Sequence, residues 1–230
     1  MGLEADVIPL AWASELFRRR CARLSFAAGA EILSADALSF FDIVEAKVAA
    51  PDTALVDGLS EFGFRLVEAE IDFEWAVAAD TEPAGHVVAV ESDIPALREV
   101  AGRSFVVSRF RPPWYSGEER RRLYRAWVEN AVRGIHDDTC LLVREKEELV
   151  GFVTMRRMTA DSARVGLLTA VPGRTRCGVG RRLTQVARRW SADHGITRLN
   201  VATQAANLGA VRFYQAQGAT VETISYWMYR

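Results

Sequence analysis

The stretch VPGRTRCGVGRRL, residues 171–183, lies between a strand-like and a helix-like segment and decides the fold. Gly178 and Gly180 let the main chain approach a ligand closely, because glycine has no β-carbon. The first N–H groups of the following helix have no partners within it, and the helix dipole places about half a positive charge there. Such an end suits a pyrophosphate. Nearby positive charge comes from Arg174, Arg176, Arg181 and Arg182. On these residues alone, a capped turn with solvent-facing arginines is an equally good interpretation.

A second segment, NLGAVRFYQAQGA at 207–219, predicts a helix that ends at a glycine. Asn207 is a favourable residue for the position that caps a helix N-terminus. Tyr214 lies one turn before Gly218. It is either a half-buried core aromatic or a functional phenol, and the segment by itself favours the first.

The order of elements around these segments predicts an α/β fold with a mixed central sheet flanked by helices. From residue 86 onward, the hydrophobic patterns indicate strand, two helices, three strands, helix, strand, helix and strand. Asp93 and Ser116 are predicted to cap the first two helices. The chain is predicted to close with a pair of strands ending at Arg230, in which ISYWMYR either fills the sheet or pairs with a partner.

The clearest break in the chain is AVAADTEPAG, residues 76–85. Most of its side chains are small or acidic, and it contains Pro83, as expected of a linker. We therefore predict a small N-terminal α/β domain at 1–80 and a larger domain at 86–230.

The N-terminal part contains two further units. The segment 34–50, SADALSFFDIVEAKVAA, predicts a helix capped at its start. The segment 54–73 runs helix, Gly63 and alternating strand, and 210–227 has the same order around Gly218. This weak internal repeat indicates that the first domain is a reduced copy of half of the second.

Acidic residues alternate with apolar ones in LVEAEIDF, residues 66–73. Glu68, Glu70 and Asp72 therefore share one face of the predicted strand. A solvated strand face is the simpler interpretation of this pattern, and a functional carboxylate is the alternative.

Composition argues against several classes of protein. The 230 residues include 29 basic and 30 acidic side chains, so no strong field favours nucleic acid or an anionic membrane. No apolar run approaches the ~20 residues that a membrane helix needs, and the N-terminus does not resemble a secretory signal. The cysteines and histidines are scattered along the sequence, so we predict neither a metal site nor a disulfide framework. This cysteine usage favours a protein of the reducing cytoplasm.

Taken together, the two glycine-containing segments resemble the GNAT superfamily of acetyltransferases. In that superfamily a Val-x-Pro-x-x-Arg-Gly-x-Gly-x-Gly turn holds the coenzyme A pyrophosphate, and a later Asn-x-x-Ala-x-x-x-Tyr helix contacts the cofactor. The matching positions are Gly178, Gly180, Asn207, Ala210 and Tyr214. The pattern usually has arginine or glutamine where this chain has Thr175, while backbone amides make most of the contacts in the turn.

The resemblance implies a GNAT fold, acetyl-CoA as co-substrate, no metal and direct attack of an amine on the thioester. The oxyanion would be bound by a main-chain N–H on the strand around 168–170. The residues predicted to bind the cofactor are Leu168, Thr169, Ala170, Thr175, Arg176, Cys177, Gly178, Val179, Gly180 and Asn207.

Further segments resemble, more narrowly, the GNAT enzymes that N-acetylate dTDP-4-amino-4,6-dideoxygalactose for enterobacterial common antigen. These segments span nearly the whole chain and are DALSFFDIVEAKVAA, FGFRLVEAE, IPALREVAGRSFVVSRFRPPWY, RAWVENAVRG, RVGLLTA, RLNVATQAAN and YWMYR. The resemblance implies a cytoplasmic homodimer that binds a nucleotide sugar. It also implies Tyr214 as general acid and Glu68 as base, and leaves Glu70 and Asp72 to the surface or to sugar contacts.

A basic and aromatic run lies between the first two helices of the larger domain, and in this fold that loop borders the acceptor site. Arginine can bind a diphosphate bidentately, and an aromatic face can stack on a base or a sugar. Arg109, Trp114 and Tyr115 are therefore the predicted substrate-binding residues. For Trp114, packing at the domain interface is an equally good interpretation.

Two other functions stay open at this point. One is acetylation of a different nucleotide-linked amino sugar or small amine, because a few side chains change a pocket on one fold. The other is a non-catalytic module that binds acyl-CoA. Loss of Tyr214 or Asn207 would favour the module, and both residues are present.

Overall fold

The computed structural model describes residues 2–79, 81–82, 84–174 and 177–230. The strands are β1 Asp6–Pro9, β2 Cys21–Ser25, β3 Ile43–Ala49, β4 Arg65–Ala76, β5 Val87–Val88, β6 Thr139–Glu145, β7 Glu148–Arg157, β8 Ser162–Ala170, β9 Arg198–Gln204 and β10 Thr220–Tyr229. The helices are α1 Ala11–Phe17, α2 Ala35–Ser39, α3 Thr53–Glu61, α4 Ile94–Ser104, α5 Gly117–Val132, α6 Val179–Asp193 and α7 Leu208–Ala216.

Within the described residues the strands form one sheet in the order β1-β2-β3-β10-β4-β9-β8-β7-β6-β5. The pairs β2–β3 and β8–β9 are parallel, and the other neighbouring strands are antiparallel. Helices lie between the strands in the chain and pack on the sheet. The predicted mixed α/β fold is confirmed.

Strand β10 lies between β3 and β4. Tyr226 is opposite Val48 on one side and Ala69 on the other. The prediction of a closing pair of strands is therefore wrong, because residues 220–229 form a single strand with a partner along each edge. The segment ISYWMYR fills the sheet and leaves no edge of its own for another chain.

The predicted helix over 34–50 is also wrong beyond its first turn. Ser34 caps α2 as expected, since its Oγ accepts a hydrogen bond from the Ala37 N–H at 3.2 Å. The helix ends at Ser39, and β3 follows. β-branched Ile43, Val44 and Val48 favour extended backbone, and pairing with β2 and β10 determines the outcome.

Of the caps predicted for the first two helices after residue 86, one is confirmed. Ser116 Oγ accepts a hydrogen bond from the Glu119 N–H at 3.2 Å, and Glu119 accepts one from the Ser116 N–H at 2.7 Å. Asp93 does not cap α4, because a 3₁₀ turn already places it in helical backbone. Its carboxylate instead accepts hydrogen bonds from the Val90 N–H and from Arg144.

The two segments on either side of the linker share the sheet and contribute to more than one core. Leu59 and Phe64 are buried in an N-terminal core that also contains Met228 of β10. Phe73 and Trp75 of β4 are buried in the core under α6. The proposed division into two domains stays a prediction, and Pro83 of the linker lies outside the described residues.

The two units compared as an internal repeat have the same local order. Gly63 separates α3 from β4 with φ +84°, and Gly218 separates α7 from β10 with φ +81°. Glycine is needed at both places because other residues rarely adopt this left-handed backbone. That the N-terminal part is a reduced copy of half of the larger part stays a prediction.

Candidate active site

A gap between β8 and β9 opens the sheet. The two strands pair only over residues 162–165 and 198–201. Beyond that point 166–170 continues beside β7, and 202–204 continues beside β4. Both diverging ends line a cavity of about 1180 Å³, which extends past α5 to β2 and β3.

The main-chain amides of β8 alternate in direction at this gap. The Leu167 N–H donates to Thr154 Oγ1 at 2.8 Å, and the Val171 N–H donates to the Val150 carbonyl at 2.9 Å. Both amides therefore point toward β7. Because successive amides of a strand point in opposite directions, those of Leu168 and Ala170 point into the gap. Leu168, Thr169 and Ala170 all line the cavity, so this edge can bind a carbonyl oxygen.

The glycine-rich turn leads into α6 beside the gap. Gly178 is the residue before the helix, with φ +76°, and both Gly178 and Cys177 are exposed. Val179 is buried in the core. Gly180 lines the cavity, where a β-carbon would lie 3.1 Å from the Phe213 ring. The predicted contacts of Thr175 and Arg176 lie outside the described residues.

Helix α7 contributes Tyr214 and Asn207 to the same cavity. The Tyr214 ring packs 5.7 Å from Phe73 and edge-on, at 5.6 Å, to Trp75. Burial raises the pKa of the Tyr214 phenol above its usual value, so the hydroxyl stays protonated at neutral pH. Asn207 caps the helix through the Ala210 N–H and donates to Thr203 Oγ1 at 3.3 Å.

The acids of β4 are not a solvated strand face, and Glu70 and Asp72 are not surface residues. Glu70 is 8% and Asp72 6% exposed. Lys47 of β3 contacts both carboxylates, at 2.7 and 3.0 Å, and Arg164 of β8 pairs with Asp72 at 2.8 Å. Burial raises the pKa of Asp72, but Arg164 and Lys47 outweigh it and lower that pKa overall. Neighbouring strands thus supply the charges that allow these acids to be buried.

Glu68 differs from Glu70 in its relation to the cavity. Glu70 lines it and accepts a hydrogen bond from Trp227 Nε1 at 3.0 Å. Glu68 is not among the described residues that line it, and its Oε1 accepts a hydrogen bond from the Ala69 N–H at 3.0 Å. Its cross-strand neighbour Trp227 does line the cavity, so Glu68 lies one side chain away.

The predicted substrate-binding loop divides into two parts. Arg109 and Tyr115 line the cavity. Arg109 forms a buried ion pair with Glu45, and its guanidinium lies 3.7 Å from the centre of the Trp227 ring. Trp114 is not one of the described lining residues and packs edge-on to Tyr229, with ring centres 5.7 Å apart.

The sequence analysis did not single out several charged residues that line the cavity. They are Arg23, Glu45, Lys47, Asp137, Arg156 and Arg164. Glu45 and Lys47 lie in the segment that the sequence predicts as a helix. A helical interpretation does not show that the two side chains share one face of a strand. Their alternation with Val44, Ala46 and Val48 is the signal that could have revealed them.

Comparisons with known proteins agree with this geometry. The profile described as the Acetyltransferase (GNAT) family matches residues 94–219, more than half of the chain. The chain belongs to the GNAT family of acetyltransferases. This GNAT acetyltransferase is 42% identical over 231 residues to a protein of Escherichia coli O6:H1 named dTDP-fucosamine acetyltransferase, with 100% of both chains covered.

Solved structures share the fold of this GNAT acetyltransferase. A GCN5-related N-acetyltransferase from Kribbella flavida is 17% identical, with a TM-score of 0.58 over 91% of this chain and 80% of the other. A functionally unknown conserved protein from Staphylococcus epidermidis ATCC 12228 is 13% identical, with a TM-score of 0.64 over 100% and 92%. At these identities the likeness concerns the fold alone.

The described parts of this GNAT acetyltransferase contain neither a membrane-spanning helix nor a cluster of metal-binding side chains. No helix there is long and apolar enough to cross a membrane. No three His, Cys, Asp or Glu side chains come together there in a group that could hold a metal ion.

Proposed function

We propose that this enzyme transfers the acetyl group of acetyl-CoA to the 4-amino group of dTDP-4-amino-4,6-dideoxygalactose (dTDP-fucosamine), in the synthesis of a bacterial surface polysaccharide such as enterobacterial common antigen. The observation that carries the proposal is the 42% identity, along the whole of both chains, to an enzyme named for that substrate.

The donor half of the reaction is supported by the gap between β8 and β9. The exposed N-terminus of α6 is suited to the coenzyme A pyrophosphate. The amides of Leu168 and Ala170 are available to the pantetheine arm and to the thioester carbonyl. Asn207 and Tyr214 line the same cavity.

The acceptor half is supported by the charges of the cavity. Among the described lining residues, five cationic side chains face three carboxylates. The cations are Arg23, Lys47, Arg109, Arg156 and Arg164, and the carboxylates are Glu45, Glu70 and Asp137. Asp72 pairs with Lys47 and Arg164 although it is not a described lining residue, so one positive charge is left in excess. This excess favours an acceptor with a diphosphate over a neutral or cationic amine.

The chemistry needs no covalent enzyme intermediate. The neutral amine attacks the thioester carbon, a main-chain N–H of β8 stabilises the oxyanion, and the carbon–sulfur bond then breaks. A base takes the proton that the amine loses, and Tyr214 donates one to the departing thiolate. Holding amine and thioester together in one cavity supplies much of the acceleration.

The direct test is to incubate the protein with acetyl-CoA and dTDP-fucosamine, follow the release of free thiol, and identify the acetylated sugar by mass spectrometry. A panel of other nucleotide-linked amino sugars, free amino sugars and small primary amines is assayed in parallel. Turnover of panel amines without turnover of dTDP-fucosamine refutes the acceptor. Acetyl-CoA binding without turnover of any amine favours a non-catalytic module.

We expect Glu68→Gln to lower kcat/KM by about 10²-fold at the acidic end of the pH profile, because glutamine cannot take the proton of the amine. The loss should shrink as pH rises and more of the free amine is already neutral. The measurement is the pH dependence of kcat/KM for the amino sugar. An unchanged profile in this variant, with a changed one in Glu70→Gln, would make Glu70 the base.

We also infer that the enzyme is a homodimer and works in the cytoplasm, where acetyl-CoA and nucleotide sugars are available. The narrow family resemblance supports the dimer. Sedimentation equilibrium across a range of protein concentrations tests it, and a single species of 25.6 kDa, the mass of one chain, would contradict it.

A further inference from the structure

Two arginines lie directly opposite each other on the cavity face of β7 and β8. Arg156 pairs with Arg164 in the register of the two strands, and both side chains line the cavity. Like charges at directly opposed positions repel, so such a pair destabilises a sheet unless negative charge is supplied. The partners of the two side chains therefore show where that charge is missing.

The partners of the two arginines are unequal. Arg164 contacts Asp72 at 2.8 Å and Glu70 at 4.0 Å. Arg156 forms no ion pair with any carboxylate of the described residues, and its buried Nε has no hydrogen-bond partner there. Its Nη1 lies 2.9 Å from His136 Nε2.

His136 cannot supply the missing negative charge, because an imidazole is either neutral or positive. Burial and the neighbouring guanidinium of Arg156 lower the pKa of the imidazole, so the ring is neutral at neutral pH and accepts a hydrogen bond from Arg156. Of the two arginines, Arg164 therefore contacts carboxylates, whereas the guanidinium of Arg156 does not.

We propose that Arg156 and Arg164 bind the diphosphate of the acceptor nucleotide, with Arg156 as the principal contact; this inference rests on the proposed function. A guanidinium presents two parallel N–H groups that match the oxygens of a phosphate. Two such groups side by side fit two adjacent phosphates. A diphosphate here also supplies the negative charge that the opposed arginines lack.

The test compares wild type with Arg156→Gln on two acceptors, dTDP-fucosamine and the free amino sugar without its diphosphate. We expect KM for dTDP-fucosamine to rise about 10- to 100-fold, because a charge-assisted contact is lost. The kcat/KM for the free sugar and the KM for acetyl-CoA should not change. Arg156→Lys keeps the charge but loses the bidentate geometry. Its KM for dTDP-fucosamine should therefore lie between those of wild type and Arg156→Gln.

Arg198→Gln is the matched control, because it removes the same charge from an exposed arginine that pairs with Asp161 outside the cavity. Equal losses on both acceptors, or no loss on dTDP-fucosamine, would overturn the inference. Absence of wild-type turnover with dTDP-fucosamine would refute the proposed function instead. Calorimetric titration with dTDP then decides the inference: binding weakened by Arg156→Gln supports it, and equal or absent binding in both proteins overturns it.

A second site rests on a different observation, at Asp137. This side chain is 1% exposed and lines the cavity. Its Oδ2 accepts hydrogen bonds from Trp127 Nε1 at 2.8 Å and from Thr154 Oγ1 at 2.5 Å. Its Oδ1 has no partner among the described residues. A buried carboxylate oxygen without a protein partner is costly, and a bound water or a group of a ligand can supply the missing donor.

The neighbours of Asp137 place it close to the thioester position. A β-carbon on Gly166 would collide with Asp137 Oδ2 and lie 2.7 Å from Thr154 Oγ1, so only glycine lets the carboxylate reach β8. Thr154 also accepts the Leu167 N–H, next to the amide of Leu168 that points into the gap. Gly166, which lies against Asp137, is therefore two residues before Leu168, whose amide is expected to bind the carbonyl.

We infer that Asp137 Oδ1 accepts a hydrogen bond from the amino group of the acceptor and orients it toward the thioester. Gly166 and Arg164 share a face of β8 and are two residues apart, roughly 7 Å. The two proposed contacts therefore lie on one strand face, where a single pyranose ring can reach both. The two sites would thus hold opposite ends of one sugar.

Asp137→Asn tests this role, because the amide oxygen can keep both existing hydrogen bonds while an NH₂ replaces the open oxygen. We expect kcat/KM for dTDP-fucosamine to fall about 10- to 100-fold with an unchanged Tm. The preference of the protein for dTDP-fucosamine over the 4-hydroxy sugar, measured as a ratio of Kd values, should disappear. A purely structural role would lower Tm and leave that ratio intact.

Asp138→Asn is the matched control, since Asp138 is the next residue, accepts the Arg157 N–H and is not a described lining residue. Unchanged kcat/KM in Asp137→Asn would overturn the inference. If the wild type does not turn over dTDP-fucosamine, the proposed function fails. The same comparison is then made with the best amine of the panel, where an unchanged kcat/KM again overturns the role of Asp137.

Discussion

Replacement of Tyr214 by phenylalanine is expected to lower kcat by about 10²- to 10⁴-fold, the usual contribution of a general acid or base. Burial raises the pKa of the Tyr214 phenol, so the hydroxyl carries its proton at neutral pH and is a weaker acid than a solvated tyrosine. Phenylalanine keeps the ring packing against Phe73 and Trp75, so the fold and acetyl-CoA binding should persist. Stopped-flow thiol release and calorimetric titration with acetyl-CoA measure the two effects.

Tyr226→Phe is the matched control for this prediction. Tyr226 is a half-buried tyrosine of β10 and is not one of the described residues that line the cavity. Its loss of a hydroxyl should leave kcat unchanged. If kcat of Tyr214→Phe equals that of wild type, the thiolate takes its proton from elsewhere and Tyr214 is a core aromatic.

Arg109→Met is expected to lower the free energy of unfolding by about 3–5 kcal/mol, because it leaves a buried carboxylate without its main partner. The Arg109 and Glu45 side chains are 14% and 4% exposed, so water screens this pair little. Burial raises the pKa of Glu45, but Arg109 and Arg23 outweigh it and lower that pKa overall. The pair therefore stabilises the fold at neutral pH, and that contribution is lost in acid as Glu45 is protonated. Urea denaturation of both proteins measures the difference.

The double variant Arg109→Met with Glu45→Gln separates structure from binding. If the cost comes from the buried carboxylate, which then keeps only Arg23 as an ion-pair partner, the second substitution should restore part of the lost stability. Unchanged stability in Arg109→Met, with a raised KM for the amino sugar alone, would instead make Arg109 a substrate contact. If Arg109 instead has the structural role, the nucleotide must be bound by other cationic residues of the cavity.

The segments that we propose to bind the cofactor could be picked out from the sequence because their residues are local. Residues 171–183 and 207–219 each contain a complete turn or cap, and their spacing alone indicates a helix end beside a strand. The α/β class also follows from local patterns. What these segments do not contain is any information about which strands lie side by side.

The charged residues that we propose for the acceptor side could not be picked out from the sequence for that reason. Lys47, Asp72 and Arg164 meet across β3, β4 and β8, and only the order of the sheet brings them together. The acids of β4 therefore resembled a solvated face, although two of them are buried. Asp137 belongs to no periodic element, so no pattern could single it out.

The place of β10 in the sheet has a consequence for how the chain reaches this state. Strands β3 and β4 are made early during synthesis. Neither can pair with β10, which lies between them, until residues 220–229 have been added. Pairings between such distant segments form slowly. Until then the facing edges of β3 and β4 are open templates for unwanted association. These two edges therefore remain exposed to association with other chains until the last described strand pairs with both.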